Sequence, residues 1–113
     1  MQDVKFYVCP VCGNVTISTG NAEVTCCGRK LRPERVGQSR GIKAEVSGSE
    51  YIVSCGHPMT KDHYFSFFAA ESDDGVQYVR LYPESKAEAR FTRQGVKRIY
   101  VYCTVDGLYA KDL

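Results

Sequence analysis

Short apolar runs, several of which alternate with polar residues, recur along most of the chain. From residue 42 onward they read IKAEV, EYIVS, HYFSFFAA, VQYVRLY, EARFT and KRIYVYC. A period of two and an excess of β-branched and aromatic residues are typical of β-strands. The stretches SGS, SDDG, YPES and RQG separate these runs and supply turn residues. The pattern therefore predicts a mainly β chain that forms a small antiparallel β-sandwich.

The first part of the chain differs from the rest in its composition. Residues 1–31 carry four of the six cysteines and little apolar mass, whereas residues 32–113 carry most of the aromatic residues. We therefore predict a metal-held knuckle at 1–31 followed by the sandwich at 32–113. Two details complete this prediction. KAEAR could form one helical turn that is too short to be stable alone, and ERVGQSRGIK is expected to be a solvated loop.

Four cysteines with close spacing indicate a metal site in the knuckle. Cys9 and Cys12 lie in CPVCG, while Cys26 and Cys27 are adjacent and precede Gly28. Four thiolates suit zinc or a single iron, and the spacing does not distinguish between them. Successive side chains of an extended strand diverge, so the adjacent pair requires a turn, which Gly28 favours. A disulfide between adjacent cysteines has poor geometry, and no βαβ pattern supports a thioredoxin-like redox pair.

Composition and charge exclude several other classes of protein. The chain has 113 residues, of which 43% are hydrophobic and 25% charged, with a net charge of +2. Basic and acidic residues are interspersed, so neither nucleic acid nor an anionic membrane is an expected partner. No apolar run is long enough to span a bilayer, and the first residues lack the apolar region of a secretory signal. We expect a cytoplasmic protein, in which cysteines bind metal more often than they form disulfides.

Three motifs resemble those of a known family. FYVCPVCGNV followed by CCG resembles the desulforedoxin-like N-terminal domain of desulfoferrodoxins, including the adjacent cysteines that ordinary rubredoxins lack. GHPMTKDHYFSFF resembles the HPMxxxHY segment of superoxide reductases, and YVYCTVDGLYA resembles their C-terminal CNxHG segment. The resemblance spans nearly the whole chain and implies an immunoglobulin-like β-sandwich after the small iron-binding domain. It further implies superoxide as substrate, a small electron-donor protein as partner, and a homodimer.

The ligand set of the family's catalytic iron is incomplete in this sequence. In the family, four equatorial imidazoles and one axial thiolate hold a ferrous iron that reduces superoxide. By resemblance, His57 and His63 match two of the imidazoles, and Cys103 matches the thiolate. Asp106 stands where the last imidazole belongs, and the chain has only two histidines. The family's catalytic lysine has no clear counterpart, although Arg40 lies near its position, so an intact superoxide reductase centre is not encoded.

Three interpretations of this second site follow from the missing ligands. The site is vestigial; or His57, His63 and Asp106, with or without Cys103, bind a metal in altered form; or weak superoxide reduction survives. Two imidazoles and a carboxylate can hold ferrous iron, and an added thiolate could complete a zinc site. A carboxylate in place of a neutral imidazole lowers the charge of the site, which should repel superoxide and favour ferric iron.

The sequence thus predicts an iron-binding electron-transfer protein of the superoxide reductase family with a degenerate catalytic iron site. Two alternatives remain open: a functional superoxide reductase with altered ligands, and a zinc-stabilised binding module without enzymatic activity. Cys55 is interpreted as a small buried hydrophobe, or else as a substitute ligand or a redox partner of Cys103. Alternation along IYVYC places Cys103 on the same strand face as Ile99 and Val101, pointing inward. Met59 and the aromatic residues that follow it are expected in the core.

Overall fold

The structure of the chain is a computed structural model, and the chain divides into two units, Met1–Arg35 and Val36–Leu113. The boundary predicted between residues 31 and 32 falls just before this division and stays a prediction. The structure describes residues 4–9, 11, 13–18, 23–34, 36–38, 41–55, 59–60, 62–73, 75–105 and 107–113.

Two short antiparallel hairpins make up the described part of the first unit. The first hairpin pairs β1 (Lys5–Val8) with β2 (Val15–Ser18), and the second pairs β3 (Val24–Cys26) with β4 (Arg29–Leu31). The Glu34 N–H donates a hydrogen bond to the Phe6 carbonyl at 2.8 Å, so the segment after β4 returns to β1. The described residues of this unit therefore form two small ladders joined by backbone contacts.

The small core of the first unit contains a cysteine. Tyr7, Cys9 and Leu31 form a buried cluster, and Val24 and Cys26 pack against it. Tyr7 and Leu31 come from different hairpins, so this cluster holds the two ladders together. Two sheets of two strands each cannot bury much apolar surface, which is why so small a unit commonly needs a metal or a disulfide.

Eight strands in two sheets form the described part of the second unit. The strands are β5 (Val36–Gln38), β6 (Ile42–Ser47), β7 (Glu50–Cys55), β8 (Phe65–Ser72), β9 (Gly75–Arg80), β10 (Glu88–Thr92), β11 (Val96–Cys103) and β12 (Gly107–Asp112). One sheet has three strands in the order β10-β7-β6, and the other has five in the order β5-β12-β11-β8-β9. All neighbours are antiparallel except β12 and β5, which pair in parallel.

Both sheets contribute to one apolar core, which makes the second unit a sandwich. Val53 and Phe91 come from the three-stranded sheet, and Phe68, Ile99 and Val101 come from the other, all at most 1% exposed. Alternation along β11 brings Ile99, Val101 and Cys103 into this core, so the predicted inward orientation of Cys103 is confirmed. The whole cluster comprises Ile42, Val53, Cys55, Phe65, Phe68, Ala70, Leu81, Ala89, Phe91, Ile99, Val101 and Cys103.

The mainly β architecture is confirmed, with local corrections. The second half of KAEAR lies in β10, where its burial alternates and its backbone pairs with β7, so the helical-turn prediction is wrong. The segment predicted to be a solvated loop contains β5, which pairs in parallel with β12. No helix in the part of the chain that the structure describes has the length and apolar character needed to span a bilayer.

Candidate metal centre

The first hairpin fixes the position of Cys9. Cys9 follows β1 directly, and its N–H donates to the Asn14 carbonyl at 2.9 Å, which extends the ladder by one residue. The Gly13 N–H donates to the Cys9 carbonyl at 2.9 Å, and Gly13 has a φ of 75°, which a glycine adopts without steric cost. These bonds close a tight turn that leaves Cys9 only 1% exposed. Cys12 lies outside the described residues.

The second hairpin fixes Cys26 and Cys27. Cys26 pairs with Arg29, which leaves Cys27 and Gly28 as a two-residue turn with φ values of 53° and 73°. Positive φ at both central residues is the mark of a type I′ turn, the connection that suits the twist of a hairpin. The turn that the adjacent cysteines require is therefore present. A left-handed conformation costs a non-glycine residue such as Cys27 about 1–2 kcal/mol.

The spacing of the sulfur atoms fits a tetrahedral metal site. Cys26 Sγ and Cys27 Sγ are 3.9 Å apart, and the sulfurs of Cys9, Cys26 and Cys27 all lie within 4.8 Å of one another. Four thiolates about 2.3 Å from a central metal have sulfurs roughly 3.8 Å apart. A disulfide would need about 2.05 Å, so Cys26 and Cys27 are not bonded to each other. The cysteine cluster could hold a metal, with Cys12 as the expected fourth ligand.

The three described thiols differ in their access to solvent. Cys9 is buried, Cys26 is half-buried and Cys27 is exposed. The Asn14 side-chain amide donates toward Cys26 Sγ at 3.9 Å, a contact that would favour a thiolate at this position. Asn14 was not predicted from the sequence, although it lies two residues after the CxxC motif. One ligand of the cluster thus faces the core while another faces the surface.

The structure describes two of the four residues predicted for the second site. Cys103 is 1% exposed, and its sulfur accepts the Val105 N–H at 3.4 Å. The carbonyl of the half-buried His63 accepts the Thr60 N–H at 3.0 Å and the Thr60 hydroxyl at 3.2 Å, and the His63 N–H donates to Thr60 Oγ1 at 3.2 Å. His57 and Asp106 lie outside the described residues, as does Arg40.

The strand ends position Cys103 and His63 near each other in the fold. Thr104 follows Cys103, and Tyr64 follows His63. The Thr104 N–H donates to the Tyr64 carbonyl at 3.0 Å, and the Tyr64 N–H donates to Thr104 Oγ1 at 3.3 Å. Among the described residues, neither His63 nor Cys103 belongs to a group of three candidate metal ligands such as the thiol cluster.

The remaining cysteine and the neighbouring hydrophobic residues lie in the core. Cys55, 9% exposed, belongs to the same buried cluster as Cys103, as expected for a small hydrophobe. Met59 packs against that cluster, and its sulfur accepts the Phe65 N–H at 3.3 Å. Phe65 and Phe68 are buried there as well, with their rings edge-on at 5.3 Å. The prediction that Met59 and the following aromatic residues serve the core is confirmed for these side chains.

Comparisons with known proteins agree with this architecture. No family model matches the chain. A desulfoferrodoxin from Clostridium acetobutylicum is 26% identical over 123 residues, covering 99% of this chain and 98% of that protein. A desulfoferrodoxin from Nitratidesulfovibrio vulgaris is 29% identical over 116 residues, covering 91% of each.

A solved structure supports the same assignment. The crystal structure of the superoxide reductase from Treponema pallidum superposes with a TM-score of 0.89 at 23% identity, covering 99% of this chain and 100% of that one. This likeness shows that the fold is the one predicted, a small thiol-bearing unit followed by a β-sandwich. The chain is therefore similar over nearly its whole length to two desulfoferrodoxins, and it has the fold of a superoxide reductase.

Proposed function

We propose that this chain is an iron-binding electron-transfer protein whose metal is held by Cys9, Cys12, Cys26 and Cys27. The observation that carries the proposal is the convergence of three sulfur atoms within 4.8 Å, at the spacing that four thiolates around one metal require. The near-full-length likeness to two desulfoferrodoxins supports iron as the metal. The partner would be a small electron-donor protein, and we expect a homodimer.

The chain's own residues would prepare this centre for one-electron transfer. Iron bound by four thiolates supplies a ferric/ferrous couple that needs no change of ligands. Buried Cys9 keeps water from one side of the cluster, while exposed Cys27 brings another sulfur to the surface, where a partner can approach. The Asn14 amide beside Cys26 Sγ would stabilise negative charge on that sulfur. Two hairpins fix all of these positions, so little reorganisation would accompany a change of charge.

We further propose that the second iron site is degenerate. The chain contains two histidines, so it cannot supply the four imidazoles that the family's catalytic iron uses. Asp106 would add a negative charge where a neutral ligand is expected, which disfavours an approaching superoxide anion. Cys103 is buried in the apolar core, where a thiol also serves as a small hydrophobe.

Visible absorption combined with metal analysis tests the first centre. We expect the purified protein to contain iron at one atom per chain and to show strong colour that a reductant bleaches reversibly. The variant Cys9→Ser/Cys12→Ser should lose both the colour and the iron. Cys55→Ala, a change to a cysteine buried in the sandwich core, is the matched control and should keep both. A colourless native protein that contains zinc would refute electron transfer and favour the zinc-stabilised binding module.

Superoxide consumption tests the second site. We expect the rate of superoxide loss to be the same in the wild-type protein and in His57→Ala/His63→Ala. Metal analysis of Cys9→Ser/Cys12→Ser should find no remaining ion, because the second site would then hold none. Rapid turnover that disappears in the double histidine variant would instead establish a functional reductase with altered ligands.

A further inference from the structure

A pocket opens in the first unit beside the thiol cluster. Its volume is about 350 Å³, and residues of both hairpins and of the segment after β4 form its walls. Basic side chains predominate among its polar residues, and its apolar lining residues are a tyrosine, a leucine and a proline. The lining residues are Lys5, Tyr7, Glu23, Lys30, Leu31, Arg32 and Pro33.

The apolar wall of the pocket is also part of the core that holds the thiols. Tyr7 and Leu31 line the pocket, and the same two residues form the buried cluster with Cys9. Cys26 packs against the same cluster. The pocket therefore shares two of its lining residues with the cluster that contains the buried thiol of Cys9.

The pocket carries a surplus of positive charge. Three cations and one carboxylate line it, and Lys30 and Arg32 are exposed. Lys30 Nζ lies 3.3 Å from Glu23 Oε1, but the two side chains are 71% and 84% exposed. An ion pair so accessible to water is weak, so Lys30 can exchange Glu23 for another carboxylate at little cost.

The balance of basic and acidic residues differs between the two units. Met1–Arg35 contains five basic and three acidic residues, whereas Val36–Leu113 contains ten of each. Four thiolates around a divalent metal would add two negative charges to the first unit, so its net charge would be close to zero with the metal bound. The attraction for an acidic partner therefore comes from the local grouping of Lys5, Lys30 and Arg32 at the pocket, since complementary charge steers a partner to one region of a protein.

We propose that this pocket is the docking surface for an acidic protein partner, which inserts a carboxylate side chain between Lys30 and Arg32. A protein surface suits the site because Lys30 and Arg32 are exposed, so the acidic rim of a partner can reach them. Arginine forms bidentate hydrogen bonds with carboxylates, which would fix the orientation of the partner. Only the purpose of docking rests on the proposed function. A partner held at this pocket would be close to the cluster that contains Cys9, where it could exchange an electron with the bound metal.

Titration of the full-length, zinc-loaded protein with a short polyglutamate peptide tests the docking surface. Zinc keeps the protein diamagnetic, so amide resonances report the position of binding. We expect shifts confined to residues that line the pocket and an affinity that falls as ionic strength rises. Shifts distributed over both units would overturn the proposal, because they would show attraction by net charge alone.

A pair of charge-reversal variants separates the pocket from general electrostatics. Lys30→Glu/Arg32→Glu should weaken peptide binding by roughly tenfold or more, since two contacts become repulsive. The matched control is Lys43→Glu/Arg90→Glu in the second unit, where both residues are exposed and Arg90 has an ion pair with Glu50 at 3.8 Å. The control has the same change of net charge and should bind within about twofold of the wild type. Equal weakening by the two variants would overturn the proposal.

Two further measurements exclude competing roles for the cations. Inorganic phosphate is added at the same concentration as the carboxylate groups of the peptide. If phosphate displaces the peptide under these conditions, the pocket binds small anions in general and the proposal fails. If the pocket variant loses zinc while peptide binding is unchanged, the cations serve only to offset thiolate charge, and the proposal also fails.

A neutral variant is available if charge reversal prevents folding. Lys30→Gln/Arg32→Gln should weaken peptide binding in the same direction but by a smaller factor. None of these results depends on iron, so a colourless native protein would refute electron transfer and leave the docking result intact.

Discussion

The two units of this chain achieve order by different means. The second unit closes two sheets over a cluster of twelve buried residues, while the first surrounds its thiols with the buried side chains of Tyr7, Cys9 and Leu31. The core of the second unit is stable by itself, because its buried area offsets the entropy of ordering the chain. The core of the first unit is too small for that, so we expect thiolate–metal bonds to replace the missing core. Stability should therefore depend on metal binding in the first unit and be independent of it in the second.

The two candidate metal sites show the same contrast. Three candidate ligands of the first site lie in two hairpins within a short stretch of sequence. The Cys27–Gly28 turn brings two of the sulfurs together, and the small buried cluster joins the hairpin that carries Cys9. The described residues of the second site, His63 and Cys103, lie forty residues apart, and hydrogen bonds join the residues that follow them, Tyr64 and Thr104. Loss of a ligand has different consequences in the two cases. We expect the sandwich to stay folded whether or not its site binds a metal, because its core remains, whereas the first unit should unfold without one.

Removing the metal should have the largest effect and should affect the units unequally. A strong chelator under reducing conditions is expected to unfold the first unit, because metal binding to such sites contributes roughly 10–16 kcal/mol. The second unit should stay folded. Hydrogen exchange of backbone amides measures both at once, with rapid exchange in β1–β4 and continued protection in β8 and β11. An unchanged exchange pattern after verified metal removal would contradict this comparison.

Truncating a core side chain of the sandwich should have the opposite effect: it should destabilise the second unit and leave the first unit folded. Phe91, 1% exposed on β10, fills the core, and Phe91→Ala should destabilise the second unit by about 3–5 kcal/mol. The visible colour of the thiol centre should persist at denaturant concentrations that unfold the variant's sandwich. Circular dichroism and absorption followed in the same titration measure the two transitions. The control Val46→Ala, at a side chain 59% exposed, should change stability by no more than about 0.5 kcal/mol. Simultaneous loss of both signals would show that the units unfold together.

A buried polar contact should give a smaller effect that depends on pH and is confined to the sandwich. The Tyr100 hydroxyl donates to Glu71 Oε1 at 2.7 Å, and Lys97 Nζ lies 3.4 Å from Glu71 Oε2. Burial and the bond to Glu71 raise the pKa of Tyr100 to about 12. Tyr100→Phe removes this bond and should cost about 1–2 kcal/mol, because Glu71 is itself buried.

The sign of the pH dependence follows from the raised pKa of Tyr100. In the unfolded chain a tyrosine loses its proton near pH 10, about two units below the folded value, so folding retains a proton in that interval. The contribution to stability is complete below about pH 10 and is lost as the pH rises toward about 12. Denaturant unfolding of the sandwich across this range should show a decline that Tyr100→Phe reduces. The control Tyr82→Phe, at an exposed tyrosine, should retain the decline, and an equal reduction in both variants would contradict the assignment.

Several strands could be predicted from the sequence because their pattern is local. The apolar runs of β6, β7, β8, β9, β10 and β11 alternate or are dense in aromatic residues, which indicates strands without knowledge of their neighbours. The Cys27–Gly28 turn followed from the same local reasoning, since adjacent cysteines need a turn and glycine allows one. The short β5 could not be found in this way. Its three residues become a strand only by pairing with β12, which lies about seventy residues further along the chain.

Sequence alone determined the ligand inventory of this protein: six thiols, four of them clustered in the first unit, and two imidazoles. No fold can add a nitrogen donor, so the shortage at the second site follows from composition. The tertiary structure decided which side chains meet. The bond between Tyr100 and Glu71 joins residues on neighbouring strands, and the basic pocket joins side chains of two hairpins and the segment after them. Such contacts depend on the register and packing of segments that are far apart in the sequence. The pattern of residues within one segment does not show which distant segment it will contact.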